Sequence, residues 1–208
     1  MRRSQSERST ATQRALLDVT VDCLVESGFH RLTQVDVAGR AGLSVGALAH
    51  HFPSKSALLA AAVDHLLVRR QSEFRLAVAH LDPGADRLAA AIDALWASYG
   101  GSTFVAWAEL WVAARTDPEL AVAMAKVDRT FLDTSETLFD EALPAQDGFD
   151  DPRLRRVPLH SVLALMGGLA LSQLVPGYQP YRPSDVLDAY KAMASLTLAA
   201  ITQSRSLP

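Results

Sequence analysis

The sequence of 208 residues has little of what several common protein classes require. Its one cysteine, Cys23, excludes a disulfide framework and a cysteine-based zinc cluster. The longest apolar stretch, 157–175, is interrupted by proline, histidine, serine and glycine, so it falls short of the ~20 mainly apolar residues of a membrane helix. The first ten residues are polar and lack the apolar core of a signal peptide. We therefore expect a cytoplasmic protein.

The composition that is present favours a folded chain with an uneven charge. Hydrophobic residues make up 49% of the sequence, which is enough for a packed core and excludes a wholly disordered chain. Residues 1–60 hold seven basic and five acidic side chains, whereas the remaining residues hold 13 and 18. The excess of basic residues in 1–60, in a chain that is otherwise acidic, indicates that this segment binds an anionic partner.

Helical spacing of apolar residues runs through the whole chain, and no segment shows the β-branched alternation of a strand. We therefore predict an all-α fold. Glycine, proline and helix-capping residues mark the expected helix ends. The predicted helices are 12–27, 33–41, 45–52, one beginning at Lys55, 87–99, 103–115, one restarting at 117–119, 153–175 and 184–203.

The segment 32–59 predicts a helix-turn-helix. Gly42 supplies the positive φ that a turn between two helices needs, and Leu43 fills the angle between them. The second helix, which Ser44 would cap, is the one that enters a major groove about 12 Å wide. Its small residues Gly46 and Ala47 permit close approach to DNA.

The region 10–60 resembles the TetR family of bacterial transcriptional regulators. The resemblance rests on Thr33, Val37-Ala38, Ala41-Gly42-Leu43-Ser44, Gly46, Leu48, His50-His51-Phe52, Pro53-Ser54-Lys55 and Leu58-Leu59, and more generically on Trp107–Trp111 and Arg115–Leu120. It implies a flexible basic arm at 1–9, a three-helix DNA-binding domain at 10–56, and a helical regulatory and dimerisation domain at 57–208. It also implies a dimeric, ligand-responsive repressor of a near-palindromic operator, not an enzyme, with no cofactor.

The resemblance also implies which residues contact double-stranded DNA. Thr33 and Ser44 are equally well explained as helix caps. The chain departs from the family at Ala49, where an aromatic residue is usual, and at Val45, where a polar one is common. These departures predict readout through thymine methyls, or else a helical ligand-binding or scaffold protein that has lost DNA recognition. The expected contacts are Thr33, Gln34, Ser44, Val45, Gly46, Ala47, His50, His51 and Lys55, with Arg2, Arg3 and Arg8 in the arm.

Two short patterns resemble catalytic or metal-binding motifs but lack the structural context that those motifs need. Residues 42–46 match Gly-x-Ser-x-Gly, but a nucleophile elbow needs a strand before its serine, and a helix is predicted there. His50 and His51 are adjacent, so on a helix they point ~100° apart and do not share a metal ion. We predict no enzyme activity and no metal site.

The C-terminal part of the sequence predicts an effector site and a dimer interface. Aromatic residues concentrate within 96–111, which suits either a bundle core or a pocket for a small lipophilic or aromatic effector. The residues expected to bind the effector are Trp96, Tyr99, Phe104, Trp107, Trp111, Met124 and Met166, with Glu109 or His160 as a polar partner. By the resemblance, the last two helices pair across a two-fold axis, through Leu163, Gly167, Ala170, Leu174, Tyr190, Ala194 and Leu198.

Overall fold

A computed structural model describes residues 5–79, 86–142 and 152–203 of the chain. The described residues form helices and contain no strand, so the predicted all-α class is confirmed. The helices are α1 Gln5–Arg31, α2 Gln34–Arg40, α3 Val45–His51, α4 Lys55–Ala79, α5 Arg87–Tyr99, α6 Ser102–Ala114, α7 Pro118–Ala142, α8 Pro152–Ser172 and α9 Pro183–Gln203. None of these described helices is long and apolar enough to cross a membrane.

The start of α1 lies upstream of the predicted position. Residues 5–9, which we assigned to a flexible arm, are helical, so Arg8 belongs to α1. Arg2 and Arg3 lie outside the described residues. Gly28 has φ 75° and ψ 167°, which interrupts the helix where the sequence predicted its end.

The chain divides into two compact units. Unit 1 comprises residues 1–71 and 101–131. Within it, α1 packs against α2 and α6, and α2 packs against α3. Fully buried leucines from four of its helices, Leu24, Leu48, Leu58 and Leu110, lie in one hydrophobic core. The functional boundary expected at residue 56 stays a prediction.

Unit 2 comprises residues 72–100 and 132–208. Here α5 packs against both α8 and α9. The Tyr99 hydroxyl donates to the Leu163 carbonyl of α8 at 3.5 Å, and Lys191 of α9 forms an ion pair with Asp93 of α5 at 2.5 Å. The hydrogen bond to the Asp93 carboxylate raises the pKa of Lys191. One helix is thus joined to two others by polar contacts.

Candidate DNA-reading helix and effector site

The turn between α2 and α3 is built from local hydrogen bonds. The Thr33 hydroxyl caps α2 by accepting from the Asp36 amide at 3.2 Å, and it donates to the Asp36 carboxylate at 2.6 Å. The Ser44 hydroxyl caps α3 by accepting from the Ala47 amide at 3.1 Å. Gly42 has φ +68°. Both hydroxyls therefore serve the fold, and their contacts with phosphate stay predictions.

The outer surface of α3 is small and apolar. Val45 is 44% exposed, and Gly46, Ala49 and His50 are exposed beside it. A Cβ placed on Gly46 would meet only the Ser44 hydroxyl oxygen, at 3.9 Å. On the opposite face Leu48 is fully buried. Because the side chains on this face of α3 are short, a DNA duplex beside it can approach the helix closely.

Two residues predicted to contact DNA also bind protein groups. The Gln34 amide donates to the Phe52 carbonyl at 3.3 Å. The Lys55 ammonium donates to the Phe29 carbonyl at 3.2 Å and lies 4.7 Å from the centre of the Phe29 ring. Burial of the ammonium lowers the pKa of Lys55, while the charge of Asp117 opposes that shift. Sequence reasoning missed this internal role of Lys55.

Glu109, expected as a partner of the effector, contacts the backbone of α1. Its carboxylate accepts from the Phe29 amide at 2.9 Å. A Cβ on Gly28 would lie 3.1 Å from the same carboxylate oxygen, so the glycine allows this close approach. The sequence signalled the break at Gly28, but nothing in it linked the residue after this glycine, Phe29, to a side chain 80 residues later.

The aromatic residues predicted on one face of α6 form a stack. The ring centres of Phe104 and Trp107 are 5.5 Å apart, and those of Trp107 and Trp111 are 5.9 Å apart. The Trp107 indole donates to the Asp128 carboxylate of α7 at 3.0 Å. Met124 is buried in the core of unit 1. The other predicted effector residues, Trp96, Tyr99 and Met166, belong to unit 2.

Arg70 completes this group, and the sequence did not indicate it. Its side chain is 4% exposed, and its guanidinium lies 4.5 Å from the Phe131 ring centre and 5.8 Å from that of Trp107. Burial raises the pKa of Asp128, whereas hydrogen bonds from Trp107 and Trp111 and the charge of Arg70 lower it. We call this set the Trp107 cluster; it comprises Arg70, Phe104, Trp107, Trp111, Asp128 and Phe131.

The predicted dimer residues of α8 and α9 differ in exposure. Ala170 is buried within its own chain, Leu163, Gly167 and Ala194 are half-buried, and Leu174 is exposed. The half-buried Tyr190 donates its hydroxyl to the Pro158 carbonyl at 3.1 Å. The side chain of Leu198 lies outside the described residues. Sequence reasoning missed four exposed large apolar side chains on these helices, Val157, Leu171, Met193 and Leu196.

His160, the other expected partner of the effector, lies in unit 2 and faces an acidic residue. Its imidazole is 3.0 Å from the Glu136 carboxylate, which also pairs with Arg156 at 3.1 Å.

Among the described residues, no group of three or more histidine, cysteine or acidic side chains is arranged to hold a metal ion.

Comparison with known proteins supports the resemblance found in the sequence. Residues 16–62 match the family model of bacterial regulatory proteins of the tetR family, and residues 83–198 match that of the BetI-type transcriptional repressor C-terminal domain. An uncharacterised HTH-type transcriptional regulator of Mycobacterium tuberculosis, Rv2912c, is 33% identical over 73% of this chain and 77% of its own length.

Two further relatives cover more of the chain. The HTH-type transcriptional regulator BetI of Escherichia coli is 27% identical over 92% of both chains. The crystal structure of a transcriptional regulator from Rhodococcus covers 87% of this chain and 94% of its own, with a TM-score of 0.67 and 25% identity. A protein without DNA recognition is therefore not favoured, and neither is an enzyme. The chain belongs to the TetR family of bacterial DNA-binding transcriptional regulators.

Proposed function

We propose that this TetR-family regulator is a homodimeric repressor that a small lipophilic or aromatic effector controls at the Trp107 cluster. The match of the C-terminal part to BetI-type repressors supports the repressor assignment. The dimer assignment is supported by membership of the TetR family, whose members typically bind DNA as dimers. The observation that carries the effector assignment is the aromatic stack of α6 beside a buried guanidinium. As a regulator of genes, the protein would act in the cytoplasm.

The exposed face of α3 supports its role as the reading element. Its small residues let the helix axis approach base edges, and Val45 offers methyl groups to the 5-methyl of thymine. A two-fold axis places two such helices ~34–36 Å apart, so each reads one half of a near-palindromic operator. We expect His50, which is exposed at the end of α3, to add contacts to phosphate.

The Trp107 cluster combines the features of a site for an aromatic ligand. Trp107 is half-buried and Trp111 is exposed, so they offer aromatic surface next to the buried Phe104 ring, and the half-buried Asp128 supplies a polar group that would orient a ligand. Trp111 is 52% exposed, so its ring is open to solvent at the edge of the stack. A ligand that covered this ring would bury aromatic surface on both partners.

Replacing Trp111 by alanine is expected to weaken binding of an aromatic probe without unfolding the protein. An aromatic pair contributes ~0.5–1.5 kcal/mol beyond area burial, so the dissociation constant should rise about three- to tenfold. Trp111 also hydrogen-bonds to Asp128, and losing one such bond costs about 0.5–1.5 kcal/mol, so the melting temperature should fall by only a few degrees. Fluorescence titration with 1-anilinonaphthalene-8-sulfonate measures the binding.

The matched control is Val122→Ala, which shortens an apolar side chain that is 73% exposed on α7. It should leave the dissociation constant of the probe at the wild-type value. Equal affinity of the Trp111→Ala and Val122→Ala proteins would remove the exposed end of the aromatic stack from the effector site.

A further inference from the structure

Phe29 has both of its backbone polar groups held by charged side chains from other helices. Its amide donates to Glu109 of α6 at 2.9 Å, and its carbonyl accepts from Lys55, the first residue of α4, at 3.2 Å. The same ammonium lies 4.7 Å from the centre of the Phe29 ring. One residue at the end of α1 is therefore attached to two other helices of unit 1.

These attachments follow from the break in α1. Gly28 has a positive φ, so the residue after it does not continue the regular helical ladder, and its amide takes a side-chain acceptor instead. A hydrogen bond to an ionised group is stronger than one between neutral groups. The two hydrogen bonds to the Phe29 backbone, one with the Glu109 carboxylate and one with the Lys55 ammonium, are therefore of this stronger kind.

The position of this attachment connects it to the reading helix. Helix α1 packs against α2, and α2 packs against α3, so the orientation of α1 fixes where α3 lies within unit 1. Helix α6 also carries Trp107, two residues before Glu109. A shift of α6 at the Trp107 cluster therefore reaches the backbone of α1 through the Glu109 carboxylate.

We propose that Glu109 and Lys55 are positioning residues for DNA binding, which clamp Phe29 and set the angle at which α1 carries the reading helix. In this arrangement Lys55 acts through Phe29 and not as a contact to phosphate. The clamp also provides the route by which an effector on α6 changes the affinity for DNA; this last step alone rests on the proposed effector site.

The test compares single and double substitutions of the clamp in the full-length protein. Glu109→Ala and Lys55→Met each remove one bond to Phe29, whereas Glu109→Gln keeps an acceptor oxygen and Lys55→Arg keeps a charged donor. The probe is the duplex that the wild-type protein selects from a random-sequence pool. Fluorescence anisotropy over a series of salt concentrations gives the affinity and its salt slope, and thermal melting verifies that each variant is folded.

The clamp predicts a loss of affinity of about five- to 20-fold for Glu109→Ala and for Lys55→Met, within the usual range of coupling between sites. Because both act on the same residue, the double variant should lose clearly less than the product of the two single losses. Glu109→Gln and Lys55→Arg should recover most of the affinity. The salt slope should stay at the wild-type value in every variant.

Three results would overturn the proposal. A salt slope that falls by about one in Lys55→Met would make Lys55 a phosphate contact instead. Losses that multiply in the double variant would show that the two residues act independently, and wild-type affinity in both single variants would show that the clamp has no effect on binding. The matched controls Glu119→Ala and Lys126→Met, which change the same charges at exposed positions of α7, should bind like wild type.

No effector is present in these measurements. Failure of the Trp107 cluster as the effector site would therefore appear in the probe titration of Trp111→Ala and leave the test of the clamp unaffected. The coupling step has its own readout, since Glu109→Ala should also abolish any change in DNA affinity that 1-anilinonaphthalene-8-sulfonate produces in the wild-type protein.

Discussion

Replacing Met193 and Leu196 by glutamate is expected to give a folded monomer that has lost at least 100-fold in operator affinity. These residues are three positions apart, so they share one face of α9, and their side chains are 59% and 71% exposed. Exposed apolar side chains grouped on one helix face mark an interaction surface. Two glutamates on each copy would place four like charges in an interface made by α9.

The large effect on DNA follows from the loss of the second reading helix. In a dimer that is bound at one half-site, the second half-site is bound as an intramolecular event, which raises avidity by ~10²–10⁴. A monomer retains only the contacts of one half-site. Light scattering after size exclusion gives the mass of the assembly, and anisotropy with the selected duplex gives the affinity.

The control places two glutamates at another exposed pair with the same spacing. Val122→Glu with Ala125→Glu changes α7 and adds the same charge to each chain. This protein should remain a dimer and bind DNA within a few-fold of wild type. If the α9 variant also stays a dimer with unchanged affinity, the partner contacts a different face of the chain.

The helices of this fold were predictable where local chemistry marks their ends. Thr33 and Ser44 form the two caps that their positions before short apolar stretches indicated, and Gly28 and Gly42 adopt the positive φ that a break requires. The start of α1 was missed because residues 5–11 lack apolar spacing. A polar segment can extend an existing helix without leaving a hydrophobic signature in the sequence.

The candidate effector site was predictable to the extent that it depends on spacing along one helix. Phe104, Trp107 and Trp111 recur at intervals of three and four, which predicts that they share one helix face, and in the structure their rings stack there. The contacts that the sequence did not indicate join residues far apart in the chain. Phe29 with Glu109 and Arg70 with Phe131 are examples, and a single sequence contains no signal for such pairs. Arginine is also rarely buried, so the residue type gave no reason to expect Arg70 in the core.

A substitution at Gly46 is expected to reduce DNA binding without reducing the stability of the fold. It lies in the first turn of α3, and a Cβ there has room, with the Ser44 hydroxyl oxygen as the nearest atom at 3.9 Å. Glycine within a helix costs about 0.5–1 kcal/mol relative to alanine, and an acidic side chain near a helix N-terminus is favourable. Gly46→Glu should therefore melt at the wild-type temperature or above it.

On DNA, the same substitution should reduce the operator affinity of the dimer at least 100-fold. The longer side chain keeps α3 away from the base edges, and its charge repels the phosphates. A tenfold loss at each of two half-sites, ~1.4 kcal/mol apiece, multiplies to that figure. Gly46→Ala should show a smaller loss, and Ala125→Glu, which adds the charge on α7, should bind like wild type. Wild-type affinity of Gly46→Glu in anisotropy would mean that the exposed face of α3 does not meet the duplex.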